Sequence, residues 1–167
     1  MKKEITGLGA ALLGIDLFCK SKTEKKPEDT EERAILNGKV LIRKVRNDGM
    51  AFNLFAGNEK IVKGCSVMAA AIILTYHIRL LFSKKRNVSF LGTTLILSGA
   101  CSNLYDRFRK GYVTDYIGFE TENKAFREIT FNIGDFCLAA GALILSAVSS
   151  VKLIKDSVKG CIKRKKA

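Results

Sequence analysis

Histidine occurs once, at His77, and the five cysteines (Cys19, Cys65, Cys101, Cys137, Cys161) stand singly, without Cys-x-x-Cys or Cys–His spacing. That excludes the usual zinc-ligand arrays, and neither a metal nor a cofactor is expected. The cysteines read as small apolar fillers of helix contacts. Proline also occurs once, at Pro27, outside every long apolar run. No small-x-small cleavage site follows the opening MKKEITGLGAALLGIDLFC, and Asp16 interrupts its apolar core. The opening is therefore not read as a removable secretory signal. What is also lacking is an even spread of charge. Lys and Arg number 29 against 16 Asp and Glu, a net charge of +13, but Lys152, Lys155, Lys159, Lys163, Arg164, Lys165 and Lys166 crowd the end of the chain. Such a cluster after an apolar run is what a cytoplasmic tail carries, where anionic lipid attracts it. Membrane lipid is the expected partner, and nucleic acid is not.

What the chain does have is apolar sequence gathered into four runs, 5–19, 64–82, 88–105 and 131–151. The last three have the length that crosses a bilayer, roughly 17–25 residues. A soluble amphipathic helix would interrupt MAAAIILTY or ALILSAVSSV with charge every turn, and these stretches carry none. The first run is short, but Lys2, Lys3 and Lys20 can snorkel and extend it. The fold class expected is an all-α integral membrane protein, one membrane domain over residues 1–167. Its four transmembrane helices lie near 5–20, 63–82, 88–105 and 131–153, with both termini cytoplasmic. Residues 21–60 form the first extracytoplasmic loop. Its charged start gives way to AILNGKVLIRKVRNDGMAFNLFAG, whose alternating apolar residues and turns at Asn37-Gly38 and Asn47-Asp48-Gly49 predict a small β-sheet on the membrane surface. Residues 106–130 form the second outward connection. His77 lies towards the inner half of its helix and is given no role.

Three acid-bearing groups mark the second half of the chain: Asn103-Leu-Tyr-Asp106-Arg107, Val113-Thr-Asp115 and Phe131-Asn132-Ile-Gly-Asp135. Asp135 falls within the start of a membrane-length run, where charge is costly and an ionisable side chain points to function. An acid at a helix N-terminus is also favoured by the helix dipole, which explains tolerance without function. Asp115 could fold back beside Asp135. Two carboxylates in a partly dry site can split water against a peptide bond, one as general base and the other as general acid. Asp106 and Arg107 read as a structural charge pair beside them.

Taken together these blocks resemble the lipoprotein signal peptidases, the type II signal peptidases. A glycine-rich helix end followed by N-L-[IY]-D-R matches Ser98 to Arg107; V-V-D-[FY] matches Val113 to Tyr116; F-N-x-A-D matches Phe131 to Asp135. An upstream N-x-G-x-[AS]-[FW] matches Asn47 to Phe52, and a first-helix D-Q-x-[ST]-K matches Asp16 to Lys20. The resemblance covers most of the chain, in the family's order. It implies a four-span aspartic endopeptidase of the bacterial cell membrane. Such an enzyme cuts diacylglyceryl-modified prolipoproteins just before the lipidated cysteine, without cofactor, and a monomer is expected. Asp115 and Asp135 would be catalytic, and Asn47, Gly49, Asn103, Asp106, Arg107, Asn132, Asp16 and Lys20 would bind substrate or support the site. Departures from the pattern are Leu17 for Gln, Cys19 for Ser or Thr, Ser98 and Ser102 for Gly, Thr114 for Val and Gly134 for Ala. The other readings are a non-catalytic paralogue that binds lipidated signal peptides and a small membrane ion or proton carrier.

Overall fold

A computed structural model describes residues 1–27, 31–49, 54–83 and 88–165, with side chains of the last helix to residue 159. The Met50 to Phe52 end of the upstream motif lies outside the described residues. Four long helices, α1 (Lys2–Glu24), α2 (Glu59–Leu81), α3 (Val88–Lys110) and α5 (Ile133–Lys165), carry a four-stranded sheet at one end. The short helix α4 (Lys124–Glu128) lies in the connection between α3 and α5. Among the described residues, three helices are long and apolar enough to cross a membrane: α2, α3 and the Ile133–Lys159 part of α5. α1 is as long as α2 and α3 but carries Lys2, Lys3, Glu4, Asp16 and Lys20, which lower its hydropathy.

α3 is the central helix. Its buried residues are mostly small or polar, among them Ser89, Gly92, Thr93, Thr94, Ser98, Gly99 and Ser102. Small residues let helix backbones approach in lipid, where apolar burial no longer discriminates between surfaces. The approach to α5 is extreme: a Cβ on Gly99 would sit 2.1 Å from the carbonyl oxygen of Gly134, and one on Gly141 would sit 2.5 Å from that of Gly92. Against α1, the contact is polar, with Ser98 Oγ donating to the Gly9 carbonyl at 2.9 Å. At the end away from the sheet, Lys2 Nζ donates to the carbonyls of Leu80, Leu81 and Ser83 at 2.6, 2.9 and 2.7 Å. These carbonyls lie at and just past the C-terminal end of α2, where a cation is favoured by the dipole.

The sheet has order β1-β2-β3-β4, all antiparallel, from β1 (Arg33–Ile35), β2 (Val40–Asn47), β3 (Val113–Phe119) and β4 (Thr130–Phe131). The first hairpin turns through Leu36, Asn37 and Gly38, all with positive φ, at the Asn-Gly signal read from sequence. The expectation confined the sheet to the first loop. Half of its strands come instead from the second connection, so Asp115 stands on a central strand. The 106–130 boundary also shifts, because α3 runs to Lys110 and takes Asp106 and Arg107 into its last turns. At the other end of that connection, Phe131 belongs to β4 and Asn132 caps α5, which therefore starts at Ile133. β2 bulges between Ile42 and Val45, where the apolar alternation of VLIRKVRN breaks at Arg43-Lys44. A bulge re-aims side chains. Here Lys44 turns to the end of α1, donating to the Glu24 and Lys26 carbonyls at 3.1 and 3.3 Å.

Candidate active site

The Asn132–Asp135 segment is a capping box. Asn132 Oδ1 accepts from the Asp135 backbone N–H at 2.9 Å, and Asp135 Oδ2 accepts from the Asn132 N–H at 3.0 Å. Two orphan donors of the first turn are thereby satisfied by each other's side chains. This accounts for an acid at this depth, so the helix-start explanation of Asp135 holds as local structure. It does not account for what the rest of the cap does. Asn132 has its oxygen engaged, so its amide nitrogen faces outward and donates to Asp115 Oδ1 at 2.6 Å. One fully buried asparagine therefore ties both carboxyl groups together.

Each carboxyl has a second partner. Asn47 holds its own oxygen against the Gly49 N–H at 3.1 Å, so its amide nitrogen donates to Asp115 Oδ2 at 3.0 Å. Asn103 turns its oxygen to Lys20 Nζ at 2.7 Å, which leaves its amide nitrogen to donate to Asp135 Oδ1 at 2.9 Å. Lysine has only donors, and backbone N–H groups likewise, so the orientation of all three amides follows from chemistry. Burial, and then the nearby Asp135 charge, push the Asp115 carboxyl up to about 7, against the opposing hydrogen bonds from Asn47 and Asn132. A carboxyl so placed can hold or release a proton near neutral pH.

Beneath the pair lies a second, drier layer. Asp16 and Lys20 are both 1% exposed and form an ion pair at 3.1 Å. Asp16 Oδ2 also accepts from Ser102 Oγ at 2.5 Å. Its Oδ1 accepts from Tyr116 Oη at 2.8 Å and the Ile133 N–H at 3.0 Å. Lys20 reaches Ser102 Oγ at 2.9 Å and Asp106 at 3.8 Å. A buried ion pair persists only when its remaining donors and acceptors are met in this way. The expected Asp106–Arg107 pairing gives way to a different one. Asp106 binds Lys110 at 2.9 Å and caps the Thr114 N–H at 3.0 Å. Arg107 donates Nη2 to the Gly49 carbonyl at 3.0 Å, facing the charges of Asp135, Asp115 and Asp106. Its Nε is buried without a partner among the described residues.

Tyr116 was not singled out in the sequence, although it closes the V-T-D-Y block, because a phenol's partner on another helix leaves no local signature. His77 stacks on Phe90 and hydrogen-bonds Thr93 Oγ1 at 2.8 Å, away from these groups. Among the described residues, no three His, Cys, Asp or Glu side chains converge as ligands for a metal.

The family described as Signal peptidase (SPase) II matches residues 8–151 of this chain. The chain belongs to the signal peptidase II family. It is 31% identical to the lipoprotein signal peptidase of Clostridioides difficile over 135 residues, 80% of this chain and 86% of that one. To the lipoprotein signal peptidase of Moorella thermoacetica it is 30% identical over 138 residues, 83% and 87% of the two chains. Its fold is similar to that of a bacterial membrane enzyme solved by the in meso method at 1.9 Å, with a TM-score of 0.71 and 19% identity, covering 87% of this chain and 92% of that one. The family is one of bacterial membrane proteases, which speaks against an ion or proton carrier.

The departures from the signal peptidase II pattern are not scattered. Ser98, Ser102 and Thr114 each hydrogen-bond α1, at the Gly9 carbonyl, at the Asp16–Lys20 pair, and at Glu24 Oε2 at 2.7 Å. At Gly134 a Cβ would lie 2.9 Å from both Asn132 Oδ1 and Asp16 Oδ2, so in this chain the glycine lets the start of α5 sit close against both. In this chain α1 is docked on the site by additional polar contacts.

Proposed function

We propose that the chain is a four-span aspartic endopeptidase that removes signal peptides from diacylglyceryl-modified prolipoproteins, cutting just before the lipidated cysteine. The observation that carries this reading is the sharing of the buried Asn132 by two carboxyls, the buried Asp115 on a strand and the half-buried Asp135 on a helix N-terminus. Two such groups do not ionise together cheaply, so the pair shares a proton. The ionised member takes a proton from a water molecule, which attacks the scissile carbonyl. The protonated member polarises that carbonyl and then protonates the leaving amine. The step is hydrolysis without a covalent intermediate, and the apparent acidities belong to the pair. Asn47, Asn103 and Asn132 orient the carboxyls. Arg107 supplies fixed positive charge beside them, and Asp16 and Lys20 hold the layer below.

A fourth span is supported by α1's partners. Its Lys2 lies 5.4 Å from the Phe90 ring, its Gly9 is bonded by Ser98, and its Lys20 is bonded by Ser102 and Asn103. α1 therefore runs beside α3 over most of α3's length, and a bilayer crossed by one is crossed by the other. Four spans put both termini on one side, and the basic tail makes that side cytoplasmic. The sheet and the acid pair then lie at the outer surface, where exported lipoproteins present their modified cysteine.

The test is a gel-shift cleavage assay in sealed vesicles with diacylglyceryl-modified prolipoprotein and its unmodified form. Only the modified form should be cut, and a cysteine introduced at Lys26 should be labelled from outside while one at Lys165 is not. Equal cutting of both forms, or none, would remove the substrate assignment. The reverse labelling would refute the orientation.

A further inference from the structure

β4 joins the sheet by only two residue pairs, Ile117 with Phe131 and Gly118 with Thr130. Asn132 follows at once, and Asp115 lies two residues before Ile117 on the same partner strand. The separation between the two halves of the acid site is therefore set by a pairing too short to be stable alone. One side chain reinforces it. Arg43 Nε donates to Thr130 Oγ1 at 2.7 Å, and Nη2 donates to the carbonyls of Arg127 and Ile129 at 2.6 and 3.0 Å. Nη1 turns outward to Glu32 at 3.1 Å. The guanidinium has to pass over β3 to get there, and it passes at Gly118. A Cβ on Gly118 would lie 3.0 Å from Nε and 3.1 Å from Cζ. The β2 bulge that aims Arg43 this way sends neighbouring Lys44 to α1. The Arg43 side chain is only 13% exposed, and its hydrogen bonds go to Thr130, Arg127, Ile129 and Glu32 rather than to either carboxyl.

We propose that Arg43 is a positioning residue for the reaction proposed above: it straps β4 to the sheet across Gly118 and so holds Asn132 and Asp135 against Asp115. The inference rests on that functional reading for its kinetic half only. Arginine suits the task because its planar fork spreads fixed donors over Nε, Nη1 and Nη2 and so reaches Thr130, the Arg127 and Ile129 carbonyls and Glu32 together, whereas all the donors of a lysine share one nitrogen. The strap acts on the geometry of the acid pair, so its loss falls on turnover rather than on substrate capture.

The experiment compares Arg43→Ala, Arg43→Lys, Gly118→Val and Glu32→Ala in the full-length protein, by amide hydrogen exchange and by cleavage kinetics on diacylglyceryl-modified prolipoprotein. Arg43→Ala and Gly118→Val should both speed exchange at residues 130–133. Both should lower kcat by roughly 10- to 100-fold, the scale of a small misplacement of reacting groups, with KM within about threefold of the original. Arg43→Lys should recover part of kcat, and Glu32→Ala, which loses only the outward contact, should change neither readout. Unchanged exchange at 130–133 in Arg43→Ala would overturn the proposal, as would a loss confined to KM. If the unmodified protein cleaves nothing, the functional reading falls, and the exchange arm alone still decides whether Arg43 holds β4.

Discussion

Asp115 is a carboxyl held at a cost to the fold. Its proton affinity in the folded protein, raised to about 7 from an ordinary 3.8, means the native state binds the proton more tightly than the unfolded chain. Stability from this group is then fully present below about pH 4 and is lost as pH rises through about 7, with a ceiling of about 4 kcal/mol. Apparent melting temperature should fall between pH 5 and pH 8, and Asp115→Asn should flatten that slope. An unaltered slope in the variant would show that other groups set it. The absolute stability of Asp115→Asn is a separate matter. Its amide would bring a donor against the amide nitrogen of Asn47 or Asn132, both already fixed as donors. The three asparagines were visible in the sequence as neighbours of acids. Their orientations in the site were not. Asn47 and Asn132 are oriented by N–H groups two and three residues on, but the acids their amides then face, and the Lys20 that orients Asn103, lie far away in the chain or on another element.

At the scale of elements, the helices were legible because long apolar runs have few alternatives. Their ends were less so: Asp106 and Arg107 read as loop residues, but Thr114 and Lys110 pair with Asp106 and carry α3 past its apolar part. The strand bearing Asp115 was missed because a single central strand of a small sheet has no period long enough to read, and its partner β2 lies more than 60 residues earlier in the chain. The α3–α5 seam makes a direct prediction. Gly99→Ala places a methyl against the backbone of Gly134, which cannot move without displacing Asn132 and Asp135. Folded yield should drop sharply, with a cost of roughly 1–3 kcal/mol or more from overpacking. Gly7→Ala, where a Cβ meets nothing within 4 Å, should be neutral or slightly stabilising by helix propensity. Equal yields from the two variants would contradict this packing.

Across the whole molecule, the acid site is a junction of parts far apart in sequence. α1 brings Asp16 and Lys20, β2 brings Asn47, α3 brings Asn103 and Arg107, β3 brings Asp115, and α5 brings Asp135. The family resemblance gathered these residues before any contact was known, but composition alone yielded little beyond membrane helices and a basic tail. The layered polar network beneath Asp115 and Asp135 could not be read from the chain, since a buried Asp–Lys pair and a snorkelling one look the same in sequence.

The central claim is that Asp115 and Asp135 work as one acid–base unit. Asp115→Asn, Asp135→Asn and the double variant, purified and assayed for cleavage of diacylglyceryl-modified prolipoprotein, test it most directly. Groups that act together are strongly non-additive. Each single change should therefore remove nearly all cleavage, and the double change should add little, while the lipidated substrate still binds. Near-original cleavage by either single variant would contradict the account and leave a protein that binds lipidated signal peptides without cutting them by this pair.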